Sequence, residues 1–249
     1  LPHQLSKDSL MDISHLVTHS GFFHADDVFA FTVLSLVYPR AQLVRTRDNL
    51  PSWTQNPSAI LFDVGGTCDH VRIFDHHHID PSLVRPSGTS YSSAGLIWKQ
   101  FGLQSIRAAL PLCLPGYTIP EFAIQSAWTH IDQIIVEPLD FVDTTGKTSS
   151  AFDLSALVAN LNPGFPELSD HKETRHSQFQ SQFLLASQII RTTLLNTIRS
   201  HISPLLAIPL LQNHYSRSQS STILVIPSEL AALPVDAFLL QNPQILFVI

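Results

Sequence analysis

The chain has 249 residues, 20 acidic and 14 basic side chains, a formal net charge of −6 and 13 histidines. An apolar content of 44% is enough for a core and excludes general disorder, and the mildly acidic balance offers no broad basic surface for duplex nucleic acid. Cys68 and Cys113 cannot build a disulfide framework, no apolar run reaches the roughly 18 residues that span a bilayer, and the first residues lack a secretory core, so the expectation is a cytoplasmic protein in a reducing setting with no membrane association.

In chain order, LVTHS (16–20) reads as a buried strand. ADDVFAFTVLSLVY (25–38) is apolar nearly all round and carries two Asp in its first turn, as a buried helix would. AQLVRT (41–46), AILFDV (59–64) and VRIFD (71–75) are further strands, and 92–102 and 118–135 read as helices. Strands alternating with helices predict an α/β fold, a mostly parallel sheet with flanking helices. Asn162-Pro163-Gly164-Phe165-Pro166 breaks the chain and is the expected boundary between an N-terminal α/β domain (1–165) and a smaller α/β domain (166–249). The second opens on a long amphipathic helix, about 170–201, followed by strands at 221–226 and 244–249. Because the chain stops inside an apolar strand, that second domain is expected to be incomplete.

Six of the 13 histidines lie between His19 and His78, and three strands end in ligand-type residues. The first delivers His19 with His24, Asp26 and Asp27 close behind; the second delivers Asp63; the third delivers Asp75, His76, His77 and His78. In an open parallel sheet the carboxyl ends of the strands share one edge, where ligands bind. A lone Asp after a strand is ordinarily a turn residue, and Asp26 and Asp27 serve equally as helix caps. Recurrence at three strand ends is what argues for a metal. Imidazole plus carboxylate without thiolate suits Mn, Fe or Zn, and a carboxylate-rich site with room for two ions favours Mn2+ or Mg2+. Gly65-Gly66 makes a tight turn or admits a close substrate approach, and both readings stay open. Neighbouring side chains in an extended stretch point to opposite sides, so His76 and His77 are not expected to face one ion.

The motifs THSGFFHADD (18–27), VRTRD (44–48), DVGG (63–66), FDHH (74–77) and YSSAGLIWK (91–99), in this order, resemble the melanocyte-proliferating-gene family. The Asp-His-His run resembles the wider DHH phosphoesterase superfamily, and LNPGF (161–165) is similar to a further family motif. The resemblance implies a metal-dependent hydrolase, described in eukaryotes as a 3′–5′ RNA exonuclease. It implies metal ligation by His19, His24, Asp26, Asp63, His76 and Asp132, with Asp63 bridging two ions. It also implies that Asp75 orients His76 or its neighbour, that His77 faces the substrate phosphate, and that Arg85 holds a phosphate. Two departures stand out. His78 occupies a position where the family usually has Gln. The family's I-D-A-x-D-N-G is matched at Ile131–Glu137, where only the first Asp survives.

The expected activity is two-metal phosphoester hydrolysis, with two divalent ions, Mn2+ first and Mg2+ or Zn2+ as alternatives. The expected substrate is RNA or a short oligonucleotide, and an oligomer is compatible with the sequence. The alternatives are a phosphatase or phosphodiesterase of small nucleotides, and a catalytically weakened metal-binding family member. A peptide-cleaving metallohydrolase is disfavoured by the paired carboxylates.

Overall fold

A computed structural model of the chain describes residues 12–77, 84–148, 153–165, 167–218, 220–228 and 233–249. Four strands, β1 (His15–Thr18), β2 (Gln42–Arg45), β3 (Ala59–Phe62) and β4 (Ile73–Phe74), form a parallel sheet in the order β2-β1-β3-β4. Such strands are covered on both faces, which is why they read as continuous apolar runs; every residue of β3 is buried. Helix α1 (Ala25–Val37) connects β1 to β2, and α2 (Leu50–Gln55) lies on the way to β3. His15 of β1 lies opposite Gln42 on one side and Ala59 on the other. The strand order changes direction between β1 and β3, so the switch point lies at their carboxyl ends, beside His19 and Asp63. The fold is α/β, as the sequence predicts.

The helical part is larger than expected. Helix α3 (Ser93–Cys113) runs well past residue 102, then α4 (Glu121–Ile131) continues through a π-helical turn (Asp132–Val136) into α5 (Glu137–Thr145), and α6 (Leu154–Ala159) follows. Gly102 does not end α3. A Cβ there would lie 2.7 Å from Trp128 and Trp98, so the missing side chain is what lets α4 close onto α3. Helix α7 (Lys172–Ser216) continues beyond the expected end near 201, straight through Pro204 and Pro209. Each proline forfeits a main-chain hydrogen bond, and burial of Ile202, Ala207 and Leu211 carries the helix across them.

Helix α1 packs between α3 and α7. Phe29 meets Trp98 edge-on at 5.8 Å and Phe23 meets Phe183 at 5.6 Å. The main core takes in Phe179 to Ile202 of α7, while Ala207 and Leu211, at its far end, join Leu224 and Phe238 in a small second cluster. The expected boundary at Asn162–Pro166 thus precedes a helix that serves both clusters. The second cluster carries α8 (Asp236–Gln241) and a parallel pair, β5 (Ile223–Leu224) and β6 (Phe247–Val248), shorter than the strands expected there. No helix among the described residues is long and apolar enough to cross a membrane.

Candidate metal centre

The segment from Ser20 to His24 leaves β1, crosses the sheet edge and starts α1. Its main chain is held by three distant side chains. Arg47 Nε donates to the Ser20 carbonyl (3.3 Å) and Arg45 Nη2 to the Gly21 carbonyl (2.8 Å). Asn162 brackets Phe23, its Nδ2 donating to the Phe23 carbonyl (2.8 Å) and its Oδ1 accepting from the Phe23 amide (3.0 Å). Arg45 also donates to the Phe179 carbonyl of α7 and lies over the Phe183 ring at 4.4 Å, tying the segment to the core. The two acids at the start of α1 divide the readings left open for them. Asp27 is a cap, its Oδ1 accepting from the His24 amide at 3.0 Å. Asp26 is buried, and neither of its carboxylate oxygens has a hydrogen-bond partner among the described residues.

Asp63 follows β3 with φ of +54°, a left-handed conformation that Asp tolerates better than most residues. Gly65 and Gly66 also have positive φ, and a Cβ on Gly65 would meet Ile73 at 3.0 Å, so the glycines serve a tight turn. The turn presents the Gly66 amide to Asp75 Oδ2 at 2.6 Å. Asp63 sits between two imidazoles, with His19 Nε2 3.0 Å from its Oδ2 and His76 Nε2 3.2 Å from its Oδ1. Ser93 Oγ, at the start of α3, approaches Oδ1 at 3.3 Å.

Asp75 orients His77. Its Oδ1 accepts from the His77 amide (3.1 Å) and lies 2.7 Å from His77 Nδ1. This bond from a side chain to the amide two residues on is an Asx turn, and it overturns the expectation that the two histidines diverge. The chain is not extended here, and the two rings lie 4.4 Å apart at 35° on the same side. His78 lies outside the described residues.

Asp132 is not brought to this cluster. Its Oδ2 pairs with Arg85 Nη1 at 2.8 Å, while Arg85 Nε donates to Asp140 Oδ2 at 2.6 Å. The acid that reaches the cluster is Asp143, with Oδ2 3.2 Å from His76 Nε2. The two-Asp pattern sought at Ile131–Glu137 is met instead at Leu139-Asp140-Phe141-Val142-Asp143, where both acids are present. They lie one helical turn apart and serve different partners. Asp140 is fully buried and accepts from the Ser92 hydroxyl (2.6 Å) and from the Ser92 and Gly95 amides (3.0 Å each). A Cβ on Gly95 would collide with this carboxylate, which explains the glycine in YSSAGLIWK. Arg85 is therefore engaged by two carboxylates and packed on Tyr91 at 4.8 Å; its Nη2 has no partner among the described residues.

Three sets of side chains converge with ligand atoms within 4.8 Å of one another: His19, His24 and Asp63; Asp63, His76 and His77; His24, Asp26 and Asp143. Asp63 and His24 each belong to two sets. A buried carboxylate whose oxygens make no hydrogen bond is costly; His76 Nε2 lies 3.8 Å from Asp26 Oδ2, and a cation between them would satisfy both. The residues present fit a divalent metal. Cys68 stands apart, half-buried, with Sγ 3.5 Å from His70 Nδ1.

The electrostatics follow the same geometry. Burial works to lower the pKa of His19, but Asp63 and Asp27 outweigh it and hold the imidazole above its usual range. His76 is raised in the same way against its burial, by Asp63 and Asp143. Burial, with Asp63 and Asp143 nearby, pushes Asp26 well up, and burial pushes Asp27 up to about 7. Burial would raise Asp63 too, but His19 and His76 hold it below the carboxylate range.

These raised groups bind protons more tightly in the folded than in the unfolded chain. Without metal, their contribution is fully present below the unfolded values and is lost as pH rises through the folded ones. Asp63 has the opposite sign, but its dependence falls at acidic pH. The metal-free protein is thus expected to lose melting temperature between about pH 5.5 and pH 8, while Mn2+ raises it more at higher pH because ligation needs deprotonated donors. Melting curves in chelator and in Mn2+ across this range check the expectation. A metal-free Tm that climbs with pH would contradict it.

Asn162 gives a second expectation. Asn162→Asp keeps the shape but loses the Nδ2 donor and opposes the Phe23 carbonyl with a carboxylate. Supports of this kind typically cost about 10- to 100-fold in metal affinity. Mn2+ titration should show a loss in that range with the fold retained, and unchanged affinity would reduce LNPGF to a packing motif.

Comparison with known proteins identifies the family. The profile described as "Uncharacterised protein family (UPF0160)" matches residues 15–249. The MYG1 protein C694.04c of Schizosaccharomyces pombe is 35% identical over 154 residues, 60% of this chain and 43% of that protein. MYG1 protein YER156C of Saccharomyces cerevisiae is 29% identical over 204 residues, 75% of this chain and 56% of that protein. A human protein named MYG1 exonuclease is 32% identical over 182 residues, 65% of this chain and 46% of that protein. The chain spans about half the length of the curated relatives it matches. No solved structure matches it. The profile match over nearly the whole chain, with the order of motifs along the sheet edge, makes this chain a member of the MYG1 family.

Proposed function

We propose that the chain carries the metal centre of a phosphodiesterase that removes nucleotides from one end of RNA or short oligonucleotides, 3′ to 5′. The observation that carries this reading is Asp63, which turns one carboxylate oxygen toward His19 and the other toward His76. A shared carboxylate between two sets of ligands is what a pair of ions requires. The human relative's name, MYG1 exonuclease, supports the reaction class. The ligands in this reading are His19, His24, Asp26, Asp63, His76 and Asp143, with Asp132 replaced by Asp143.

Two divalent ions held there, Mn2+ first among candidates, would supply a metal-activated water near neutral pH and offset charge on the phosphoryl oxygens. The chain's own groups act around them. Asp75 fixes Nδ1 of His77, so Nε2 of this exposed ring faces outward as the group that meets the phosphate. Arg85 is first a positioning residue. It holds Asp140 under the start of α3, and so Ser93 beside Asp63, with Nη2 left as a donor.

Elemental analysis of protein purified without chelator, paired with hydrolysis of a labelled oligoribonucleotide in Mn2+, tests the reading. About two ions per chain and stepwise release of mononucleotides support it. Metal-loaded protein that cleaves no phosphodiester overturns it.

A further inference from the structure

A cleft of about 330 Å3 opens beside the metal centre, and the residues assigned so far do not account for its far side. One wall is made of His24, Asp26 and Asp143. The other is aliphatic, with Leu139 and Val142 from α5 and Ala156 and Ala159 from α6; Thr148 and Ser155 add hydroxyls. No Lys or Arg is among the described residues that line it.

That lining decides what enters. A phosphate has no cation to meet inside the cleft and three ligand-type side chains at its edge, so it belongs with the metals and not deeper. The aliphatic wall instead fits an uncharged, flat group attached to that phosphate, since burying apolar surface there costs no unpaired charge. The volume sits at the lower end of the roughly 300–1,000 Å3 of small-molecule sites, room for one nucleotide-sized group. We propose that the cleft between α5 and α6, beside Asp26 and Asp143, receives a single terminal nucleoside of the substrate. The inference rests on the phosphodiesterase reading above and adds why cleavage proceeds one unit at a time. The aliphatic wall reads no base edge, and the Thr148 and Ser155 hydroxyls can each donate or accept, so the subsite is expected to tolerate different bases.

Ala159 is exposed and lies on a helix, where Leu is well tolerated, and Ala156→Leu provides a second probe of the same wall. With Mn2+ loaded, both variants should retain metal content and Tm while KM for an oligoribonucleotide rises about tenfold or more. In calorimetry on the Mn2+-loaded wild type, adenosine and uridine 5′-monophosphates should bind with similar affinity, both more tightly than inorganic phosphate, and Ala159→Leu should remove that advantage. Equal affinity for inorganic phosphate and the monophosphates, or KM within twofold of wild type in both variants, overturns the subsite and leaves the metal centre untouched. Failure of the loaded wild type both to bind phosphate and to cleave any phosphodiester overturns the underlying reading instead.

Discussion

Asp63→Asn is expected to lower turnover by about a thousandfold or more, the rate equivalent of several kcal/mol of lost stabilisation of transition-state charge. Its two oxygens face different imidazoles at 3.0 and 3.2 Å, so one substitution disturbs both ligand sets. Asn keeps the shape and tolerates the left-handed backbone at φ +54°, which separates loss of charge from loss of fold. It leaves an amide nitrogen facing a former ligand direction. His19→Ala should be milder, because His19 belongs to one of the three converging sets and Asp63 to two. Metal content, Tm and kcat measured on both variants decide the point. Similar residual rates in two folded proteins would show that Asp63 is not shared.

The parts legible in sequence are those with a local cause. The parallel strands announce themselves as short apolar runs because both faces are covered, and the ligand-type residues that follow mark the carboxyl edge. What stays hidden depends on contacts distant along the chain. Asp143 lies in the two-Asp pattern of Leu139–Asp143, but nothing local tells which acids ligate; only the packing of α5 against α1 and α3 sends Asp143 to His76 while Asp140 and Asp132 both go to Arg85. Asn162 is visible within a motif, but its bracket around Phe23 spans 139 residues and appears only in the fold. Arg45 and Arg47 stand in VRTRD without any sign that they hold carbonyls of the first ligand segment. Helix α7 reads as ending near 201 because Pro204 and Pro209 are local signals, and tertiary burial overrides them.

His77→Ala is expected to lower kcat by about a hundredfold, the scale of losing one donor to a developing oxyanion. The basis is the Asx turn at Asp75, which places the His77 ring over His76 and fixes its Nδ1 at 2.7 Å. With Nδ1 fixed, Nε2 is the free atom, and the side chain is 57% exposed, the position of a group that meets substrate rather than one that fills the core. Metal content and Tm should therefore stay near wild type. The competing role is ligation, since His77 also falls in a converging set with Asp63 and His76. A ligand's loss removes an ion, so the variant would then contain less metal and gain less Tm from Mn2+. Asp75→Asn sharpens the distinction. It should reproduce most of the kcat loss by releasing the ring. It should also lower Tm, because whichever way the amide turns its nitrogen faces a main-chain donor, the Gly66 amide at the Oδ2 position or the His77 amide at the Oδ1 position. If His77→Ala keeps both ions and full turnover, the exposed imidazole is a bystander in the reaction.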